Sequence, residues 1–335
     1  ALADVSTVLG VLRDGFRVHN VKLAAVGMDV WHSVDEVPQQ LRAGRYSAQS
    51  AYYRHRGHWG AVMMRHTASL QINLDLGPEG IWQERWLAAN LISPVLTATF
   101  ACSPGAGSVC TRTRAWQELD ATRSGFPKLL MTGPGNDPRT EWAEAALEAD
   151  VMLVRIDDER YVPGCPGIRF IDWIENSHPR YGWPTVEDLD YHLTTLFFEV
   201  RPRGWLELRA GEAVPDALRP GQVVLTAALL YDDRARAEAI ALLEGRRPEL
   251  RALWDRAAEK GVHDDELKGL ACRLWEIALA GAERLPTGWI GRETLDATVR
   301  FLEAYTAQGR LPGDVLGELI EDDPGRALAW AASEE

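Results

Sequence analysis

Apolar residues at the start of the chain recur at helical spacing, with Val5, Val8, Leu9, Leu12 and Phe16 on one stripe, and predict an amphipathic helix. Val21 to Met28 then reads as a short strand, and the polar, aromatic stretch from Asp35 to Arg56 carries a predicted helix around Ala48 to His55. The period changes at Thr67. From there to Asp75 polar and apolar residues alternate, placing Thr67, Ser69, Gln71, Asn73 and Asp75 on one face and Ala68, Leu70, Ile72 and Leu74 on the other, as a half-buried strand requires. Gly77, Pro78 and Gly80 end it, and Ile81 to Ala101 returns to helical spacing through Trp82, Trp86, Leu87, Leu91 and Val95, with a kink or break expected at Pro94.

Ser103 to Gly107 reads as a loop, Thr111 to Arg123 as a basic and polar stretch, and Gly133 to Asp137 as another loop. A helix from Glu141 to Ala149 and a strand from Val151 to Ile156 follow. Extended segments are predicted from Tyr191 to Leu208, interrupted by Pro202 and Gly204, with Trp205, Glu207 and Arg209 on one face and Leu206, Leu208 and Ala210 on the other. Beyond Gly221 the pattern is helical, over 227–244, 248–260, 264–283, 292–308 and 312–321. Strands gathered ahead of a helical C-terminal third, without regular βαβ alternation, predict an α+β fold built on an antiparallel sheet.

Composition narrows the function classes. With 335 residues, 46% of them hydrophobic, the chain can bury a large core, and its formal net charge of -13 argues against a nucleic-acid binder while leaving room for a local basic pocket. No apolar run is long enough to span a bilayer, and Cys102, Cys110, Cys165 and Cys272 show neither C-x-x-C spacing nor a histidine partner. Reduced thiols and a cytoplasmic location are expected, with no nucleic-acid or membrane partner. The phosphate loop, the nucleophile elbow and the H-E-x-x-H zinc pair are all missing from the sequence.

Two polar groupings carry chemistry. The face Thr67, Ser69, Gln71, Asn73, Asp75 suits the charged ends of an amino acid or a metal with its water shell, and it equally describes the solvated side of an antiparallel sheet. Arg201-Pro-Arg-Gly-Trp-Leu-Glu-Leu-Arg209 sets Arg201, Arg203 and Arg209 around Glu207, a mixture suited to phosphate oxygens and a divalent cation, or to cross-strand ion pairs. His192, in the preceding Asp188-Leu-Asp-Tyr-His-Leu-Thr-Thr195, belongs to a residue type that is more often structural than catalytic when it stands alone.

The segment Met63-Met-Arg-His-Thr-Ala-Ser-Leu-Gln-Ile-Asn-Leu-Asp75 closely resembles a strand motif of the glutamate-cysteine ligase family of plants and bacteria. Asp188-Leu-Asp-Tyr-His-Leu-Thr-Thr-Leu-Phe197 with Val200-Arg-Pro-Arg-Gly-Trp-Leu-Glu-Leu-Arg209 is similar to its other signature, above all in the actinobacterial branch that makes γ-glutamylcysteine for ergothioneine. Gly27-Met-Asp29, Phe100-Ala-Cys-Ser-Pro104, Thr111-Arg-Thr-Arg-Ala-Trp116, Asp120 and Arg123-Ser-Gly125 follow in matching order, so the resemblance spans essentially the whole chain. It implies a fold like that of glutamine synthetase and the guanidino kinases, a curved antiparallel sheet cradling ATP, Mg2+ and glutamate, with flanking helices and a helical C-terminal region. It further implies phosphorylation of the glutamate γ-carboxylate by ATP and attack by the amine of cysteine. Glu207 would then be a metal ligand, and Arg201, Arg203 and Arg209 would act on phosphates or carboxylate. Thr67, Gln71 and Asn73 would line the amino-acid side, and His192, Thr194 and Thr195 the nucleotide side.

Two departures qualify the resemblance. Ahead of the helix that here opens at Ala1, the family has strands with paired glutamates and a Glu-Pro-Gly segment that supply most magnesium ligands. On this reading residues 1–335 form one catalytic domain lacking those strands, with 222–335 as its helical C-terminal part. A longer native chain, strands supplied by another chain, or a non-catalytic homologue serving as a binding subunit each follow; the first agrees best with the open edge the strands would otherwise leave. Phe198-Glu199 stands where two prolines are usual, and Ala210-Gly-Glu-Ala-Val-Pro215 replaces a stretch that usually carries an aspartate and a glutamine, which leaves the acceptor open between cysteine and another amine.

Overall fold

A computed structural model describes residues 2–135, 137–164 and 167–333; Cys165 lies outside the described residues. The chain opens with α1 (Leu2–Arg17), α2 (Gly44–Arg54) and α3 (Trp59–His66) before β1 (Ile72–Asp75). Helices α4 (Ile81–Phe100) and α5 (Thr111–Leu119) lead to β2 (Ser124–Gly125), α6 (Lys128–Thr132) and α7 (Pro138–Glu148). The hairpin β3 (Leu153–Arg155) and β4 (Tyr161–Pro163), then α8 (Phe170–Asn176) and α9 (Val186–Leu193), precede β5 (Phe197–Phe198), β6 (Val200–Pro202) and β7 (Trp205–Leu208). Seven helices complete it: α10 (Arg219–Tyr231), α11 (Asp233–Leu243), α12 (Leu250–Lys260), α13 (Asp265–Arg284), α14 (Arg292–Ala304), α15 (Pro312–Asp322) and α16 (Pro324–Ala331). The fold is α+β.

The central sheet has the order β1-β7-β6 and is antiparallel throughout, with Asn73 opposite Glu207 and Glu207 opposite Arg201. The alternation assigned to both strands holds in this ladder. Leu74, Val200, Leu206 and Leu208 are buried on one face, toward α4 and α10, while Asn73 and Asp75 on the other are exposed. Burying one such leucine or valine side chain contributes roughly 1.5–3 kcal/mol, so a slip by one residue, which would turn the apolar set outward, is strongly opposed.

Several expectations are corrected. Helix α4 runs unbroken through Pro94, because it is buried on nearly every side from Arg85 to Phe100 and surrounding packing outweighs one missing N–H. Val21 to Met28 is irregular, with bends at Val26 and Gly27, and among the described residues forms the single bridge Met28 to Thr67; Thr67 and Ser69 make isolated bridges rather than a continuous ladder with β1. Tyr191 to Leu193 is not extended: it completes α9, which starts at a capping box in which Asp188 accepts from the Thr185 N–H and the Thr185 hydroxyl accepts from the Asp188 N–H. The segment 227–244 is two helices divided at Asp232, whose carboxylate caps α11 by accepting from the Ala235 N–H at 2.7 Å.

Two buried anchors hold the sheet in place. Asp120 and Arg123, both with fully buried side chains, pair at 2.7 Å; Asp120 also accepts from the Tyr52 hydroxyl at 2.8 Å, and Arg56 reaches both Asp120 and Asp150. Arg123 donates on to the Thr195 carbonyl at 3.0 Å and to the Asp150 carbonyl, so α2, β2 and the approach to β5 are tied together. Glu212, fully buried, accepts from Ser103 Oγ at 2.5 Å, from Cys110 Sγ at 3.1 Å and from the Cys102 N–H. A Cβ on Gly27 would stand 2.4 Å from its carboxyl carbon, so only glycine fits there. Cys102, Cys110 and Cys272 are free thiols.

Candidate active site

The polar face of the sheet gathers four of the ten predicted site residues into one cluster. Arg201 Nη2 donates to both oxygens of Glu207, at 2.6 and 2.9 Å, and Arg209 Nη1 reaches Oε1 at 3.2 Å. Gln71, with its amide turned to satisfy both neighbours, donates to Glu207 Oε1 at 3.1 Å and accepts from Arg209 Nη1 at 2.9 Å. Strand parity explains the convergence, because residues 71, 201, 207 and 209 all leave the pleat on the same side.

The arginines are held by aromatic faces. The Arg209 guanidinium lies 5.0 Å from the ring centre of Trp116 and 5.6 Å from that of Phe197, and Arg201 lies 5.9 Å from Phe197. Arg201 Nη1 also donates to the Leu196 carbonyl, and the Arg209 carbonyl accepts from Arg112 Nη2, each at 3.0 Å. Burial would raise the Glu207 carboxyl, but hydrogen bonds and charge from Arg201 and Arg209 prevail and hold it below its ordinary value. Burial, with the like charges of Arg201 and Arg112, brings Arg209 down to about 10, still fully protonated at neutral pH.

Asn73 faces Glu207 across the ladder and is exposed, with no side-chain hydrogen bond among the described residues. Arg203 stands exposed at the β6–β7 turn, where its N–H donates to the Trp205 carbonyl and Gly204 takes a φ of +81°. Thr67 Oγ1 donates to the Met63 carbonyl at 2.7 Å. The three residues expected on the nucleotide side each have a partner within the chain. His192 is buried, with Nε2 2.8 Å from the Ala146 carbonyl and its ring stacked on Phe170 at 4.6 Å, and burial lowers its pKa to about 3. Thr194 and Thr195 donate to the Tyr191 and His192 carbonyls, and Thr195 accepts from Arg123.

Sequence reasoning gave neither Arg112 nor Glu199 a role at the site, although Glu199 stood out as part of the Phe198-Glu199 departure. Arg112 had a weak signal in the Thr111-Arg-Thr-Arg-Ala-Trp116 landmark, and Glu199 had its place in the departure from two prolines, a carboxylate between Phe198 and Val200. A magnesium ion is compatible with this cluster in one form. Glu207 is one carboxylate with an exposed amide beside it, and no group of three or more potential His, Cys, Asp or Glu ligands occurs among the described residues. That donor set suits an ion bound largely through phosphate oxygens and water, not one enclosed by protein.

Comparison with known proteins identifies the family. The family model described as glutamate-cysteine ligase family 2 matches residues 1–294. Glutamate-cysteine ligase EgtA of Mycolicibacterium smegmatis is 39% identical over 342 residues, covering all of this chain and 75% of its own length. The protein of the same name from Mycobacterium tuberculosis is 37% identical, covering 92% of this chain and 69% of its own length. A chloroplastic glutamate-cysteine ligase A of Oryza sativa is 26% identical over 88% of this chain and 60% of its own length. The match over most of the chain, together with strands that bring Gln71, Arg201, Glu207 and Arg209 into one cluster, establishes that the chain belongs to glutamate-cysteine ligase family 2.

Proposed function

We propose that the chain forms γ-glutamylcysteine from glutamate and cysteine at the expense of ATP, through γ-glutamyl phosphate, in ergothioneine or related thiol biosynthesis. The observation that carries the reading is the cluster on the sheet's polar face, where two arginines share one carboxylate and an amide. Such a group can release its arginines to phosphate or carboxylate oxygens, for which guanidinium forks are suited. Arg201 and Arg209 would bind and orient the anionic groups, and Arg203, from the turn, would meet a ligand from the solvent side. Gln71 and Asn73 would hold the amino-acid portion, with Thr67 supporting the strand that presents them.

Glu207, with Asn73 beside it, would hold Mg2+, which when bound offsets the negative charge of the transferring phosphoryl group. His192, Thr194 and Thr195 would act at the nucleotide side by fixing the segment that ends at the Leu196 carbonyl, to which Arg201 donates. The sheet is proposed as the floor of a curved antiparallel cradle of the glutamine synthetase type. Residues 222–335 are proposed as part of the same catalytic domain, supported by one apolar core that runs continuously from Val26 to Ala331. Small-molecule substrates and a cytoplasmic location are part of the same proposal; among the described residues no helix is long and apolar enough to cross a membrane.

The test is ADP release from ATP, Mg2+ and glutamate, with cysteine or competing amines, together with identification of the product. Release that depends on cysteine and yields the γ-glutamyl dipeptide supports the reading. Preference for another amine would replace the acceptor, and an absence of release with every amine would remove the ligase assignment.

A further inference from the structure

Charge at the candidate site is unevenly matched. Arg112, Arg201 and Arg209 bring three cations together; the acids acting on Arg209 are Glu207 and Glu199, and Arg112 also faces the buried Glu212, whose carboxyl burial raises. Glu207 is bound directly by two of the arginines. Glu199 is not.

Glu199 occupies the bend between β5 and β6, where its backbone is fixed on both sides: its N–H donates to the Gly125 carbonyl and its carbonyl accepts from the Arg209 N–H, each at 2.9 Å. The residue is 5% exposed, yet Oε2 is fully buried without a hydrogen-bond partner. The charged groups facing it are Arg112 from α5 and Arg209 from the end of β7, neither within direct ion-pair contact; β2 contributes the Gly125 carbonyl to its N–H. A buried carboxylate without hydrogen bonds is costly in its ionised form. Burial accordingly pushes this carboxyl up to about 7, against the opposing pull of Arg112 and Arg209.

We propose that Glu199 is a positioning residue for Arg209, its buried carboxyl setting how much positive charge Arg112, Arg201 and Arg209 present to an anionic ligand on the sheet's polar face. The identity of that ligand rests on the ligase reading. With Glu199 protonated, the arginine surplus is available to the ligand; with Glu199 ionised, part of that surplus is neutralised within the protein. Glutamate is a clean probe, because its own ionisation scarcely changes between about pH 6 and about pH 8. Its affinity is expected to fall as pH rises across that interval.

Calorimetric titration of the full chain with glutamate, with MgCl2 and a non-hydrolysable ATP analogue present, tests this at about pH 6 and about pH 8 for the wild type, Glu199→Gln and Glu199→Met. The wild type should lose roughly threefold to tenfold in affinity across the interval, the scale of one partly screened charge interaction. Both variants should be flat, at or above the wild type's affinity at the lower pH. A wild type that binds glutamate with a slope retained in both variants overturns the role of Glu199 and leaves the ligase reading intact. A wild type that takes up no glutamate at either pH removes the ligase reading, and the proposal falls with it. If both variants misfold, infrared titration of the wild type decides. A protonated-carboxyl band lost through about pH 7 in step with affinity supports the proposal, and its absence overturns it.

Discussion

Two buried groups of charge lie on either side of the segment from Thr195 to Arg201, and they are built differently. Around Asp120, two aspartates face two arginines: Tyr52, Thr122, Arg123 and Arg56 saturate Asp120, and Arg56 and the Gly167 N–H complete Asp150. Around Glu207, three arginines meet one ionised glutamate and two further carboxyls that burial biases toward the neutral form, Glu199 and, facing Arg112, Glu212. The first group is balanced and closed, so it can lock elements together without attracting anything. The second has a cationic surplus beside exposed Asn73, which on the proposed reading a ligand's negative charge would complete.

The sharpest way to break this contrast is through the closed group. Asp120→Asn leaves Arg123 buried without its ionic partner and should cost about 3–5 kcal/mol of stability, read from urea unfolding. Glu207→Gln should reverse the pattern: turnover falls roughly 100-fold or more while the cooperative unfolding transition persists, measured by ADP release beside a denaturant curve. Unchanged turnover would take Glu207 out of the metal shell.

Titration sharpens the contrast from the stability side. Glu199 has a folded pKa raised to about 7, so the folded state holds a proton the unfolded chain has lost; its contribution is full below the ordinary glutamate range and is lost as pH rises toward about 7. The shift corresponds to about 3 kcal/mol, and Glu199→Gln should remove that part of the pH dependence of stability. His192 runs the other way. Its pKa is lowered to about 3, so its contribution is complete above the ordinary histidine value and declines as pH falls, a trend that His192→Gln should flatten in melting curves recorded between about pH 4 and about pH 7. The smallest effect belongs to Arg203→Ala at the exposed turn, which should alter stability by no more than about 0.5 kcal/mol. A raised KM for ATP in that variant, without loss of fold, would place the side chain on the nucleotide.

Much of the site was legible because a strand has a period of two. Once Thr67 to Asp75 and Trp205 to Arg209 were read as alternating, Gln71, Glu207 and Arg209 had to lie on polar faces, and antiparallel pairing brought those faces together. The surroundings of His192 were less legible, because the Thr-Thr-Leu-Phe context indicates neither the stack of its ring on Phe170 nor its contact with the Ala146 carbonyl of α7. The stripe of α1 shows the same limit: its periodicity predicts the helix correctly, yet Val5, Val8, Leu12 and Phe16 are at least 40% exposed, whereas the similar stripe of α13 is buried.

Local pattern therefore determined the central strands, most of the C-terminal helices, the α+β class, the polar sheet face and the family, since each depends on residues close in sequence or on motifs kept in order. Tertiary structure alone decided which charges became balanced. Arg123 finds Asp120 three residues away, but Tyr52, Asp150 and Thr195 reach the pair from distant segments; Arg209 meets Arg112, Gln71 and Glu199 only because α5, β1 and β6 converge on the end of β7. Electrostatic compensation depends on distance in space and on burial, and neither is written in sequence spacing.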